Sequence, residues 1–232
     1  MADIFEIAHP HVAISGTDAS FPVHRIYCIG QNYSAHAREM GGDPDREPPF
    51  YFTKPADAVI ASGASVPYPT RTNNLHHEIE LVVAIGKGGR DIAAKDAKSH
   101  IFGYASGLDL TRRDLQLEAK RHGRPWDTSK GFDHSAPLSA IQTAERIGHP
   151  ARGRIWLCVN GEIRQDGNLD QLIWSVPEAI AELSTLFTLE PGDLLFTGTP
   201  AGVGPVAPGD RLSGGIEGVA EIDLEIGLEN VD

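Results

Sequence analysis

The chain has 232 residues, 41% hydrophobic and 22% charged, the make-up of a soluble globular protein long enough to bury a sizeable core. Its 20 Lys and Arg against 32 Asp and Glu leave a net charge of −12, which argues against a nucleic-acid-tracking surface or an anionic membrane partner. An anionic substrate would need local cations or a metal.

The opening MADIFEIAHPHVAI carries acids where a signal peptide needs Lys or Arg, and no apolar run approaches 18 residues, so a cytoplasmic location is expected. Residues 1–20 read as a lead-in of one strand and turns, and 21–232 as a single domain. From Phe21 onward, short β-like runs alternate with turn clusters: HRIYCIG, PFYFTK, ELVVAIG, IFGYASGLDL, IWLCVNG, DLLFTG and AEIDLEIG. With 25 Gly and 16 Pro, many turns and few long helices are expected.

Three helices are legible. YSAHAREM runs from Asn32 into Gly41-Gly42, and TRRDLQLEAKRHG opens on Thr111 with Asp114 three residues on, the spacing of a capping box. SVPEAIAELSTLFTL starts at Ser175, with Pro177 in its first turn and Ile180, Leu183 and Leu186 or Phe187 as its apolar face. Cys28 and Cys158 lie in apolar runs without C-x-x-C spacing and read as buried thiols.

The chemistry begins in NNLHHEIELVV, where Glu78 and Glu80 stand one residue apart at the mouth of an apolar run. Alternate residues of an extended chain share a face, so the two carboxylates are roughly 6.6 Å apart at their carbons, and Ile79, Leu81, Val83 and Ile85 take the other face. If partly buried, two such charges repel strongly unless they share a proton or a cation. A wet strand edge is the ordinary reading of Glu-x-Glu; a third ligand would favour a metal. Asp109, at the end of GYASGLDL, is such a ligand candidate, although Asp is also common at helix starts.

The ordered segments YCIGQNYSAHAREM, PFYFTKP, HHEIELVVAIG, GYASGLDLTRRDLQ, PWDTSKGFD, CVNGEIRQDG and LLFTGTPAGVGP resemble the fumarylacetoacetate hydrolase family over Arg25 to Val219. The similarity is to its short acylpyruvate hydrolases, and DPDREPPFYFTKPADAV resembles those acting on fumarylpyruvate in gentisate breakdown. The resemblance implies an α+β, β-rich fold, a mixed β-sandwich or roll with a few short helices, and a homodimer. It also implies a divalent ion on Glu78, Glu80 and Asp109, with Mg2+ or Mn2+ favoured by three hard oxygen donors. The implied reaction is metal-dependent hydrolysis of the C3–C4 bond of a 2,4-dioxo acid. Larger members carry an N-terminal domain and a further acidic ligand, neither of which has an evident counterpart here.

His36 and Glu39, three apart in the first helix, match the family's hydrolytic dyad, and Lys130 in DTSKGFD matches its lysine that stabilises or protonates the enolate. Arg113 and Gln116 share a helical face after Asp109 and are expected at the substrate, as is Thr199 in the glycine-rich TGTPAGVG; Lys54 in FTKP is a further candidate substrate contact, the alternative being a loop charge. His76 and His77 point opposite ways in a strand, so second-layer or surface roles are expected. Arg25, Arg46, Arg121 and Arg124 are candidates for a distal carboxylate. Other readings are an oxaloacetate decarboxylase, a dienoate isomerase or hydratase of the same family, and a non-catalytic metal-stabilised binding protein.

Overall fold

The computed structural model describes residues 4, 5, 7–35 and 48–228. Its main sheet comprises β1 (Ile26–Ile29), β2 (Tyr51–Lys54), β3 (Val59–Ala61), β4 (Ile79–Ile85), β5 (Ile101–Leu108), β6 (Ala136–Leu138), β7 (Gln142–Thr143) and β8 (Leu194–Phe196). They lie in the order β2-β1-β8-β4-β5-β6-β3, with β7 alongside β5. Neighbours are antiparallel except β8 with β1 and β6 with β3. All seven runs read from the sequence form strands, and the architecture is the β-rich α+β arrangement expected.

The alternation in β4 works on both faces. Ile79, Leu81, Val83 and Ile85 enter one apolar cluster, and Val82 and Ala84 enter a second. The first cluster is closed by Ile155, Leu157, Leu212 and Leu224 of a five-stranded sheet ordered Glu162–Asn168, Arg154–Val159, Arg211–Ile216, Ala220–Gly227, Ser65–Pro67. The second is closed by Val12, Ile14 and Phe21 from the antiparallel hairpin His11–Ala13 and Ser20–Pro22. Each such side chain contributes about 1.5–3 kcal/mol on burial. A one-residue slip of β4 would move Glu80 to the opposite face, so packing sets the register of the site.

Four helices occur among the described residues: α1 (Arg113–Arg121), α2 (Asp127–Lys130), α3 (Ala144–Ile147) and α4 (Val176–Leu186). Before α4, the amide and hydroxyl of Ser175 both donate to Glu178. Ile180 and Leu183 are buried, but Leu186 is 57% exposed, and Phe187 leaves the helix to meet the Tyr27 ring at 4.9 Å. The expected capping box of α1 does not form. Thr111 lies in a short strand and its hydroxyl donates to the Asp109 carbonyl, while the Asp114 carboxylate accepts from Thr72 Oγ1 and the Asn73 amide. Ser34 and Ala35 are helical, and the rest of that run, with His36 and Glu39, lies outside the described residues. Cys28 is buried, Cys158 only half-buried, and both are free thiols. No described helix is long and apolar enough to cross a membrane.

Candidate active site

Two chains leave the main sheet together to make the acidic cluster. β4 pairs Ile79 with Leu108 of β5, and beyond the sheet His76 of strand Leu75–His77 pairs with Thr111 of strand Thr111–Arg112. Carrying that register across the break sets Glu78 opposite Asp109, and the Asp109 amide donates to the Glu78 carbonyl at 2.9 Å. Glu78 therefore does not begin the strand, as the alternation suggested. It occupies the break between two sheets, where the backbone is free to turn its carboxylate toward Asp109 and Glu80.

On its other edge β4 faces β8, and the chain beyond β8 supplies the floor. The Gly198 amide donates to Glu80 Oε2 at 2.7 Å, and Thr199 Oγ1 donates to the Ile79 carbonyl at 2.7 Å. Gly198 has φ +97°, and a Cβ there would stand 2.8 Å from the Asn32 side chain, so only glycine fits. Glu78, Glu80 and Asp109 are all buried, each with a carboxylate oxygen within 4.8 Å of the others. Unscreened, three such charges would be untenable.

Three buried cations answer them. Lys130 ends α2, and its ammonium donates to Glu78 Oε2 (2.9 Å), Asp109 Oδ2 (2.5 Å) and Thr111 Oγ1 (2.7 Å), using all three protons. Burial works against its charge, but Asp109 and Glu78 hold the ammonium above its usual value. Arg113, at the start of α1, donates to Glu78 Oε1 and, at 2.5 Å, to Gln116 Oε1. Lys54, at the end of β2, donates to the Lys130 and Leu110 carbonyls, and its ammonium lies 2.8 Å from Asp109 Oδ1. That contact is electrostatic only, because Oδ1 accepts no hydrogen bond.

The donor set fits a divalent cation. Glu80 accepts one backbone N–H and pairs with no cation among the described residues, and Asp109 Oδ1 keeps free lone pairs. Burial, followed by Asp109 and Glu78, pushes the Glu80 carboxyl well above its ordinary range. A hard cation bound by oxygen atoms relieves that repulsion.

Behind the acids stands Gln165, wholly buried and missed in the sequence because its segment is polar. Its Oε1 accepts from His77 Nδ1 (2.9 Å) and the Ile79 amide (3.1 Å), and its Nε2 donates to Thr199 Oγ1 and the Pro200 carbonyl, both at 2.8 Å. It ties three strands together beneath Glu78 and Glu80. His76 Nδ1 accepts from Arg113 Nε at 3.3 Å, and burial, then Arg113, lowers its pKa to about 4. Both histidines thus serve the acids indirectly.

Above the acids is a cleft lined by Arg113, Gln116, Lys130 and Thr199, and also by Gln31, Phe52, Lys120 and Trp126, which the sequence did not single out. Arg25 is committed elsewhere, to Asp193 and the Thr188 carbonyl.

The fumarylacetoacetate (FAA) hydrolase C-terminal model matches residues 25–226. The chain belongs to the fumarylacetoacetate hydrolase family. Its fold is that of the family's C-terminal domain, and the family is one of enzymes. It is 50% identical over 190 residues to a fumarylpyruvate hydrolase of a Ralstonia species, covering 81% of this chain and 98% of that one. A crystal structure of fumarylpyruvate hydrolase from Pseudomonas aeruginosa in complex with Mn2+ and pyruvate superposes with a TM-score of 0.96 at 52% identity, covering 98% of this chain and 100% of that one. A mitochondrial oxaloacetate tautomerase of Bos taurus is 43% identical over 201 residues, 87% of this chain and 90% of the relative.

Proposed function

We propose that this member of the fumarylacetoacetate hydrolase family hydrolyses the C3–C4 bond of an acylpyruvate, with fumarylpyruvate as the favoured substrate and fumarate and pyruvate as products. The carrying observation is the buried triad Glu78, Glu80 and Asp109 in a cleft that also presents Lys130, Arg113, Gln116 and Thr199. The Mn2+ and pyruvate of the Pseudomonas aeruginosa relative support the same reading. Glu78, Glu80 and Asp109 would hold Mg2+ or Mn2+, which when bound polarises the 2-oxo acid and accepts the charge that develops as the bond breaks.

The remaining work falls to the chain. Lys130 and Arg113 place fixed positive charge beside the triad, where pyruvate leaves as an enolate. Gln116 and Thr199 line the cleft and orient the dioxo acid, and Lys54 acts through Asp109. His36, assisted by Glu39, is assigned on sequence spacing to take a proton from the water that attacks C4; that proton balance is completed when C3 of the departing enolate is protonated. The reading places the protein in the cytoplasm, in aromatic-compound breakdown, as a homodimer.

The test is a spectrophotometric screen of 2,4-dioxo acids with Mg2+ and Mn2+. Equimolar pyruvate and carboxylic acid are expected from an acylpyruvate; absence of both would sink the hydrolase reading. The similarity to oxaloacetate tautomerase supports a second reading, proton shuttling on oxaloacetate without bond cleavage. Adding oxaloacetate to the screen separates it, since keto–enol exchange of oxaloacetate changes its absorbance without releasing pyruvate or a second acid.

A further inference from the structure

The hydrolase reading leaves the acyl end of the substrate unassigned. α1 points along the cleft, and Arg113, Gln116 and Lys120 sit at i, i+3 and i+7, within one narrow face of the helix. All three line the cleft: Arg113 is buried against Glu78, Gln116 is buried beside it, and Lys120 stands exposed at the mouth, about 10 Å further along the axis. Lys120 is held below the usual lysine value by partial burial and then by the Arg113 charge.

What separates Lys120 from its neighbours is that it is uncommitted. Lys130 and Arg113 are bound to the acids, whereas Lys120 pairs with no carboxylate among the described residues and lies 5.9 Å from the centre of the Trp126 ring. Trp126 and Phe52 supply flat apolar walls between the triad and that ammonium. A flat, conjugated acyl chain fits between such walls, and a chain of net charge −12 would repel its terminal carboxylate unless a free cation met it.

Resting on the hydrolase reading, we infer that Lys120 is the receptor for a carboxylate at the far end of the acyl group, and so selects acylpyruvates with a diacid tail over neutral ones. Lys120 is a specificity residue: it touches the substrate remote from the bond that breaks.

The experiment compares kcat/KM for two 2,4-dioxo acids of equal length, one ending in a carboxylate and one in a carboxamide, with saturating Mn2+. Wild-type protein, Lys120→Gln and Lys120→Arg are measured. The wild type is expected to prefer the carboxylate, less so at high salt. Lys120→Gln should lower that preference roughly 10- to 100-fold, the worth of one charged hydrogen bond, and Lys120→Arg should keep most of it. An unchanged preference in Lys120→Gln, or none in the wild type, overturns the assignment while hydrolysis stands. If neither compound is cleaved by the wild type, the hydrolase reading falls and this inference with it.

Discussion

The ammonium of Lys54 stands 2.8 Å from Oδ1 of Asp109, with both side chains closed off from water. It also satisfies two backbone carbonyls, those of Leu110 and Lys130, so one buried cation fixes the position of a carboxylate and of the helix end beside it.

Lys54→Met should therefore destabilise the metal-free protein by about 1–3 kcal/mol, because it removes one of the two cations beside Asp109 and the donor to the Leu110 carbonyl, while Lys130 still pairs with Asp109 Oδ2 and Ser135 Oγ still donates to the Lys130 carbonyl. Adding Asp109→Asn should recover part of the loss, since the carboxylate left with Lys130 as its one cation is then neutral. Urea unfolding of the two variants measures both effects; a Lys54→Met protein as stable as wild type would show that the pair carries no stability.

Glu80 supplies a prediction in pH. Its carboxyl is held well above the ordinary 4.5, so the folded protein keeps a proton that the unfolded chain has released. That contribution to stability is full below the unfolded value and is lost as pH rises through the folded one. Metal-free protein should thus lose stability as pH rises above the ordinary carboxylate range, and Glu80→Gln should flatten this slope while greatly weakening Mn2+ binding. Calorimetry showing wild-type Mn2+ affinity in Glu80→Gln would remove Glu80 from the ligand set.

Much of this was legible in the sequence, and the gaps have physical causes. The seven strands carry β-branched and aromatic residues at a period of two, and β4 keeps that pattern because each of its faces meets a separate core. Glu162–Asn168 was missed because it is an edge strand, largely exposed and polar, and Arg211–Ile216 because glycines interrupt it. Those glycines are required: a Cβ on Gly214 would lie 2.6 Å from the Trp156 carbonyl. The three acids and Lys130, Arg113 and Gln116 were found through local spacing and family resemblance, and the structure brings them together. Gln165, far from Glu78 in sequence, had no local signal, since its importance arises only where the hairpin passes under β4. Thr111 illustrates the reverse: capping-box spacing was present, but the ladder to His76 claimed its backbone.

Gln165→Leu tests that buried clamp. Removing the amide leaves His77 Nδ1, the Ile79 amide and Thr199 without their shared partner, and should cost about 1–3 kcal/mol of stability. If the clamp positions Glu78 and Glu80, kcat should fall more than KM rises, with Gln165→Glu retaining more activity than Leu. Lost stability with unaltered kinetics would confine it to a structural role.

His36→Ala separates bond hydrolysis from the enolate chemistry the cleft also suits. Acylpyruvate cleavage should drop roughly 10²- to 10⁴-fold in kcat, the usual worth of a positioned general base. Any turnover of oxaloacetate needs no attacking water and should fall much less, and Glu39→Gln should follow His36→Ala in direction. Equal losses in both reactions, measured at saturating Mg2+, would strip His36 of the base role.

The central claim is that three buried carboxylates hold a divalent ion for carbon–carbon bond hydrolysis, and one titration addresses it directly. Protein stripped with chelator is given fumarylpyruvate, and pyruvate release is followed as Mn2+ is returned. The account predicts no release from stripped protein, recovery saturating at one ion per chain, and no recovery in Glu80→Ala that remains folded. Full pyruvate release from the stripped protein, or recovery in Glu80→Ala equal to that of wild type, would contradict it.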